Sequence, residues 1–335
     1  MRTALTDRLD IDHPVIQAPM SGGDGPALAA AVSNAGGLGM LALWRPAPDA
    51  VREAIRRTKS LTSRPFGVNL NLGWPQQERL EVCLEERVPV VSFFWGESPS
   101  LVARARAGGA AVLETVGSAD EARAAVDRGA DVIVAQGWES GGHVWGTVAT
   151  MALVPAVVDA VGSVPVVAAG GIADGRGLAA ALALGASGVW LGTRFLATPE
   201  AGIHPRYRAR LLEADENDTR WFADLFDVGW PDAPHRALEN ETIVAWEAAG
   251  RPASGQRPGE GDVLARSPRG PVQRYQSFTP GPTTEGDIDN LSLWAGQSVG
   301  LVRSVRGAAD VVTDIVAEAG EVLARAARLS SEQPR

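Results

Sequence analysis

Ala119-Asp-Glu-Ala-Arg-Ala-Ala-Val-Asp-Arg128-Gly-Ala-Asp131-Val-Ile-Val-Ala135 is one complete helix-to-strand unit, and its pattern recurs along the chain. Residues 119–128 carry the mixed polar and apolar spacing of a surface helix, and the apolar run ending at Ala135 reads as a short strand. Gly129 stands between them, where a glycine takes the left-handed conformation that ends a helix and redirects the chain. The same punctuation closes helical patterns at Arg106-Ala-Gly-Gly-Ala110 and Leu184-Gly-Ala-Ser187, a weak internal repeat.

Outward from this unit, short apolar runs predict strands at about 14–18, 38–43, 65–70, 88–94, 110–115, 131–135, 164–169 and 188–192. Helical patterns fill most of the gaps: 26–35, 49–59, 76–86, 100–107, 119–128, 153–161 and 176–184. Runs such as Val164-Pro-Val-Val-Ala-Ala169 are continuously apolar instead of alternating, as strands of a parallel sheet covered on both faces must be. Eight such units predict an α/β fold, a (β/α)8 TIM barrel; their number argues against a doubly wound open sheet. After Phe195 the pattern fails. Residues 199–288, rich in proline, glycine and charge, predict a small helical and irregular insertion over the C-terminal face of the barrel, a substrate lid with helical patches at 207–215 and 238–249. The barrel domain then comprises 1–198 and 289–335, with an amphipathic C-terminal helix over 290–329 closing its ring.

Composition narrows the function. A net charge of −9 lacks the basic surface that nucleic acid or an acidic membrane requires, and no apolar run is long enough to span a bilayer. Without a secretory leader pattern the expected location is the cytoplasm. The single cysteine, Cys83, sits in an apolar setting that suits the buried side of a helix. The four histidines (His13, His143, His204, His235) are far apart in sequence, so no metal site is expected. The sequence leaves a homodimer open.

In a barrel of this kind the chemistry sits on the loops that follow the strands. That selects Ala18, Pro19 and Met20 after strand 1, Asn69 and Asn71 at strand 3, Thr115 at strand 5, and Gln136 at strand 6. Strand 6 leads into Gln136-Gly-Trp-Glu-Ser-Gly-Gly-His143-Val-Trp-Gly146, where Gly141 and Gly142 allow close backbone approach beside an imidazole. A surface histidine on a flexible loop is the alternative reading of that stretch. Ala169-Gly170-Gly171 after strand 7 and Gly192-Thr193 after strand 8 offer neutral donors where barrels commonly bind phosphate. A phosphate held there would hang its ligand over the barrel mouth, and the amides of Asn69 and Gln136 suit the edge of a heterocycle. Flavin mononucleotide (FMN) fits. The dinucleotide fingerprint is missing, since Gly36-Gly-Leu-Gly39 precedes a strand instead of opening a helix.

In order and spacing, the segments Gln17-Ala-Pro-Met20, Ser33-Asn-Ala-Gly-Gly-Leu-Gly39, Gly67-Val-Asn69, Gln136 to His143, Ala168-Ala-Gly-Gly-Ile172, Gly192-Thr-Arg-Phe195 and Ala295-Gly-Gln-Ser-Val-Gly300 resemble the nitronate monooxygenase (2-nitropropane dioxygenase) family and the related FMN-dependent enoyl-ACP reductases. The resemblance implies an oxidoreductase with non-covalent FMN and His143 as catalytic base, oxidising alkyl nitronates, or nitroalkanes, with O2 to carbonyl compounds and nitrite or related nitrogen oxides. The loop departs from the common Glu-Ala-Gly-Gly-His-Arg-Gly form at Ser140 and at Val144-Trp145. An NAD(P)H-dependent FMN reductase of enoyl thioesters or quinones is therefore the alternative, and a non-catalytic flavin-binding protein a third class. Trp221, Trp230, Tyr275, Phe278 and Trp294 either line the pocket, if the insertion folds over the flavin, or serve in packing.

Overall fold

The computed structural model describes residues 1–331; residues 332–335, assigned above to the barrel segment, lie outside the described residues. Strands β1 (Val15–Gln17), β2 (Gly39–Ala42), β3 (Phe66–Asn71), β4 (Val90–Phe94), β5 (Ala111–Val116), β6 (Val132–Gln136), β7 (Val166–Ala169) and β8 (Gly188–Leu191) are parallel and follow one another around a single sheet. Its two ends meet, because Gln17 N–H donates to Leu38 O at 2.9 Å and Leu38 N–H to Val15 O at 3.0 Å. The predicted barrel is present.

Helices α1 (Ala4–Leu9), α2 (Pro26–Asn34), α3 (Pro48–Leu61), α4 (Gln77–Glu85), α5 (Pro99–Ala107), α6 (Ala119–Arg128), α7 (Thr150–Val161), α8 (Gly175–Ala183), α9 (Thr193–Leu196), α10 (Pro205–Glu213), α11 (Glu241–Ala248) and α12 (Ala308–Ser331) complete the fold. The continuous apolar runs divide by period 2. Val132, Val134, Val167 and Ala169 fill the barrel interior with Ile16, Leu38, Met40 and Leu113, over a base plugged by Leu5 and Leu9 of α1. Ile133, Ala135, Val166 and Ala168 face the opposite way, into the layer shared with the helices. Cys83 is buried on α4, where burial pushes its thiol up to about 12. No helix among the described residues is long and apolar enough to cross a membrane.

The C-terminal region differs from expectation. Only Ala308–Ser331 is α-helical; Ile288–Asn290 and Gln297–Leu301 are short 3-10 turns. Helix α12 packs between α8 and α2 and so supplies the eighth helix of the ring. The insertion also holds more sheet than its composition suggests. Thr219–Phe222 pairs antiparallel with His235–Leu238, and Val263–Ser267 pairs with Gly270–Gln273 and Glu285–Gly286. The second helical patch starts late because Leu238 ends a strand; the Asn240 side chain then accepts from Ile243 N–H at 3.1 Å and caps α11. Such strands are too short and too interrupted for periodicity to reveal them.

Gly39 lets α2 press on β2, since a Cβ there would lie 2.0 Å from the Ala29 carbonyl oxygen. Gly39→Ala is expected to lower the unfolding free energy by roughly 1–3 kcal/mol. Gly25, whose added Cβ would meet nothing within 4 Å, is the control. Gly25→Ala, at the N-cap of α2, should cost less, about 0.5–1 kcal/mol, from the lost cap preference alone, both read from urea denaturation midpoints.

Candidate active site

Strand parity carries inward-facing positions up to the C-terminal mouth of the barrel. There a cavity of about 340 Å³ collects the candidates from separate strands: Ala18, Pro19 and Met20; Asn69; Thr115; Gln136; Gly141, Gly142 and His143; Ala169, Gly170 and Gly171; and Gly192 and Thr193. Asn71 lines it too. A volume of this order suits a small organic ligand. Behind Met20, a buried Asp24 carboxylate accepts from Met20 N–H at 2.6 Å and Ala42 N–H at 2.9 Å. It ties the first loop to β2, and burial pushes its carboxyl up to about 6 against those two hydrogen bonds.

The loop after β6 is shaped by backbone contact. A Cβ on Gly141 would sit 2.3 Å from Gly296 N and 2.4 Å from Ala295 C, and Gln297 N–H donates to Glu139 O at 3.0 Å. The 295–297 segment thus lies directly against the loop, which is why the two motifs occur together. Gly142 takes a φ of +69°, open to glycine at little cost. Gln136 lines the cavity and also bonds within the loop. Its Nε2 donates to His143 O at 3.0 Å and its Oε1 accepts from Trp145 N–H at 2.9 Å, so the amide latches the loop from within. Asn69 likewise points its Nδ2 at Ser92 Oγ, 2.8 Å away. Trp145 stands outside the cavity and donates from Nε1 to Glu121 Oε2 at 2.9 Å, anchoring the loop to α6. Ser140 lines the cavity.

His143 is held in an aromatic cage. Trp230 of the insertion stacks on it at 3.6 Å between ring centroids and 24° between planes, with Trp294 at 5.2 Å and Trp95 at 5.7 Å. Its Nε2 is shielded from solvent and has no protein partner. Burial, then the charges of His235 and Arg45, hold the imidazole well below its ordinary value, so it is neutral around pH 7 and free to accept a proton. His143 and His235, remote in sequence, are paired across antiparallel backbone, their rings 5.8 Å apart. His235 accepts from Phe226 N–H at Nε2 and donates from Nδ1 to Ala233 O; burial pushes it down to about 4.

Trp230, Phe278 and Trp294 line the cavity, whereas Tyr275 packs in the insertion with its hydroxyl on Pro258 O, and Trp221 lies beside Trp138. Sequence reasoning passed over Trp44 and Arg45 after β2, Phe94 at the end of β4, and Arg269 in the insertion, all lining residues. The strand-end rule reaches the first three; nothing in the sequence marks Arg269.

The glycine turns fit a phosphate cradle. Gly170 and Gly171 have successive left-handed φ values of +100° and +71°, a backbone that side chains rarely allow and that leaves the main chain bare toward a ligand. Thr193 Oγ1 accepts from Gly296 N–H at 3.0 Å, which leaves its hydroxyl proton for a ligand. Ser140 Oγ, buried beside Gly170 and without a protein partner, is a further orphaned polar group on this wall. The residues present therefore suit FMN: an anion cradle at one end, and unpartnered Ser140 and His143 along the cavity. Among the described residues no group of three or more His, Cys, Asp or Glu is arranged to hold a metal ion.

The sequence profile described as nitronate monooxygenase matches residues 2–78 and 70–318. The chain is 36% identical to a 5-hydroxy-7a-methyl-1-oxo-octahydro-1H-indene-4-carboxyl-CoA dehydrogenase of Rhodococcus jostii, over 95% of this chain and 96% of that one. It is 35% identical to a nitronate monooxygenase of Pseudomonas aeruginosa, over 94% and 99% of the two chains. Among solved structures, FabK from Thermotoga maritima superposes with a TM-score of 0.86 at 36% identity, covering 98% of this chain and 99% of its own.

If Trp230 keeps water from His143, Trp230→Ala should raise the imidazole's pKa back toward the ordinary histidine value of about 6.5. Proton NMR titration of the His143 ring reads this directly; an unmoved titration would assign the depression to other walls.

Proposed function

Because the chain belongs to the nitronate monooxygenase family, we propose that it is an FMN-dependent oxidoreductase that oxidises alkyl nitronates, and nitroalkanes after deprotonation, with O2 to carbonyl compounds and nitrite or related nitrogen oxides. The observation that carries this reading is the solvent-shielded, unpartnered Nε2 of a neutral His143 on the wall of the cavity. A neutral imidazole with a free lone pair accepts a proton from carbon; a protonated one cannot. FMN, when bound, supplies the ring that accepts electrons from the substrate and passes them to O2. Gly170, Gly171, Gly192 and Thr193 are assigned to its phosphate, with Ala18, Pro19, Met20, Asn69, Thr115, Gly141, Gly142 and Ala169 lining the same cavity. Gln136 acts indirectly by fixing the loop. The aromatic cage excludes water from His143, and removal of a carbon-bound proton there leaves a nitronate anion beside the newly formed imidazolium.

The insertion, 199–288, is assigned as the lid, since it contributes Trp230, Arg269 and Phe278 to the cavity wall. The cytoplasm is the location we assign. A second reading, NAD(P)H-dependent reduction of enoyl thioesters or quinones, is favoured by one observation: the charged side chains at the mouth are arginines, which suit a larger anionic substrate.

Oxygen uptake with a panel of nitronates and nitroalkanes tests the first reading. His143→Ala should cut turnover of neutral nitroalkanes by roughly 10²–10⁴-fold with flavin still bound; unchanged turnover would remove His143 from the chemistry. Rapid anaerobic bleaching of the flavin by NADPH or NADH would favour the second reading. Gly171→Val, a β-branched residue on a left-handed backbone, should strip FMN from a folded barrel, measured as the flavin-to-protein absorbance ratio. Stoichiometric flavin in that variant would overturn the cradle.

A further inference from the structure

The chain has 40 acidic residues against 31 Lys and Arg, yet among the described residues no Asp or Glu lines the cavity. Its charged lining residues, apart from the neutral His143, are Arg45 and Arg269. Arg45 is held in place: its guanidinium carbon lies 4.5 Å from the centre of the Trp44 ring and 5.5 Å from that of Trp74, and Nη2 donates to Gly229 O at 3.3 Å. Arg269 occupies the turn between Val263–Ser267 and Gly270–Gln273, its guanidinium 5.8 Å from the Phe278 ring. Neither has a carboxylate partner among the described residues. Burial, and then the charge of Arg269, pull Arg45 below its ordinary value. Two cations kept at one mouth without a counter-ion repel, and an anion between them relieves that repulsion.

A row of rings joins this mouth to the proposed base. Arg45 lies over Trp44, Trp44 meets Trp230 at 5.2 Å, and Trp230 stacks on His143 at 3.6 Å. A small nitronate needs no anchor at the outer end of that row. The phosphate of FMN is assigned to the glycine turns after β7 and β8, on different loops from the one after β2 that carries Arg45.

We propose that Arg45 and Arg269 form an anion clamp that takes the phosphate groups of a nucleotide-bearing ligand, an acyl thioester of coenzyme A or a nicotinamide dinucleotide, and points its reacting end along the tryptophan row toward His143. Guanidinium forks match phosphate oxygens in pairs, and the tryptophan faces keep Arg45 extended for that contact. The clamp rests on the second reading above, in which a thioester or a nicotinamide nucleotide enters the cavity, and is independent of nitronate oxidation.

The test uses FMN-loaded protein, so that the flavin phosphate site is filled, and follows tryptophan fluorescence and calorimetry with free coenzyme A, NADP+ and inorganic phosphate at fixed ionic strength. Saturable binding of coenzyme A is expected, weakened roughly tenfold by Arg45→Gln or Arg269→Gln and weakened further by salt. Arg266→Gln, on the same hairpin but outside the cavity, should leave binding unchanged. Binding of NADP+ alone, with the same dependence on both arginines, supports the clamp and assigns it to the nicotinamide nucleotide. Absence of saturable binding by either nucleotide overturns the proposal, as does binding indifferent to both substitutions, or release of FMN by Arg45→Gln. Failure of nitronate oxidation would leave these binding results intact, so the two ideas fall separately.

Discussion

Everything at the mouth depends on closure of the parallel sheet between β1, β8 and β2. Backbone hydrogen bonds from Gln17 and Leu38 join its ends, and once the register is fixed every strand presents alternate residues to the inside. That parity stacks Val132, Val134 and Gln136 on one line, Val167 and Ala169 on the next, with Leu113 and Thr115 beside them. The lower members are apolar and fill the barrel. The upper ones face the cavity, where polar groups meet a ligand instead of hydrocarbon. A slip of one residue in β3 or β6 would turn Asn69 or Gln136 out of the cavity and into the apolar layer beneath the helices.

The loop after β6 shows how the side chain proposed as the base is fixed by its own loop and by the segments packed against it. Gly141 removes the Cβ that would collide with Ala295 and Gly296, so two backbone segments far apart in sequence meet directly. Gln136 closes the loop from inside, and Trp145 fastens its far end to Glu121. His143 Nε2 is left without a protein partner inside walls that the insertion completes. The same apolar walls that exclude water also keep the imidazole neutral, so burial serves positioning and protonation state together.

Electrostatics divides the cavity into zones. Its depth holds uncharged donors: glycine turns, Thr193 and Ser140. The mouth holds Arg45 and Arg269 in a chain whose overall charge is negative. An anion approaching this acidic protein therefore meets local attraction at the entrance, and neutral hydrogen-bond donors deeper in.

The amino-acid sequence by itself determined the barrel, because period-2 burial, helical spacing and glycine stops such as Gly129 are local signals that neighbours in the chain enforce. It also marked the strand-end residues, since topology alone sends Asn69, Gln136, Gly171 and Thr193 to one mouth. Trp44 and Phe94 were open to the same rule, but a tryptophan or phenylalanine at a strand end reads equally as packing. Only the tertiary structure decided that Gln136 latches a loop, that His235 lies beside His143, that residues 199–288 carry two small sheets, and that Trp230 and Arg269 reach the cavity. These depend on contacts between segments many residues apart, and an irregular insertion has no periodicity from which such contacts can be read.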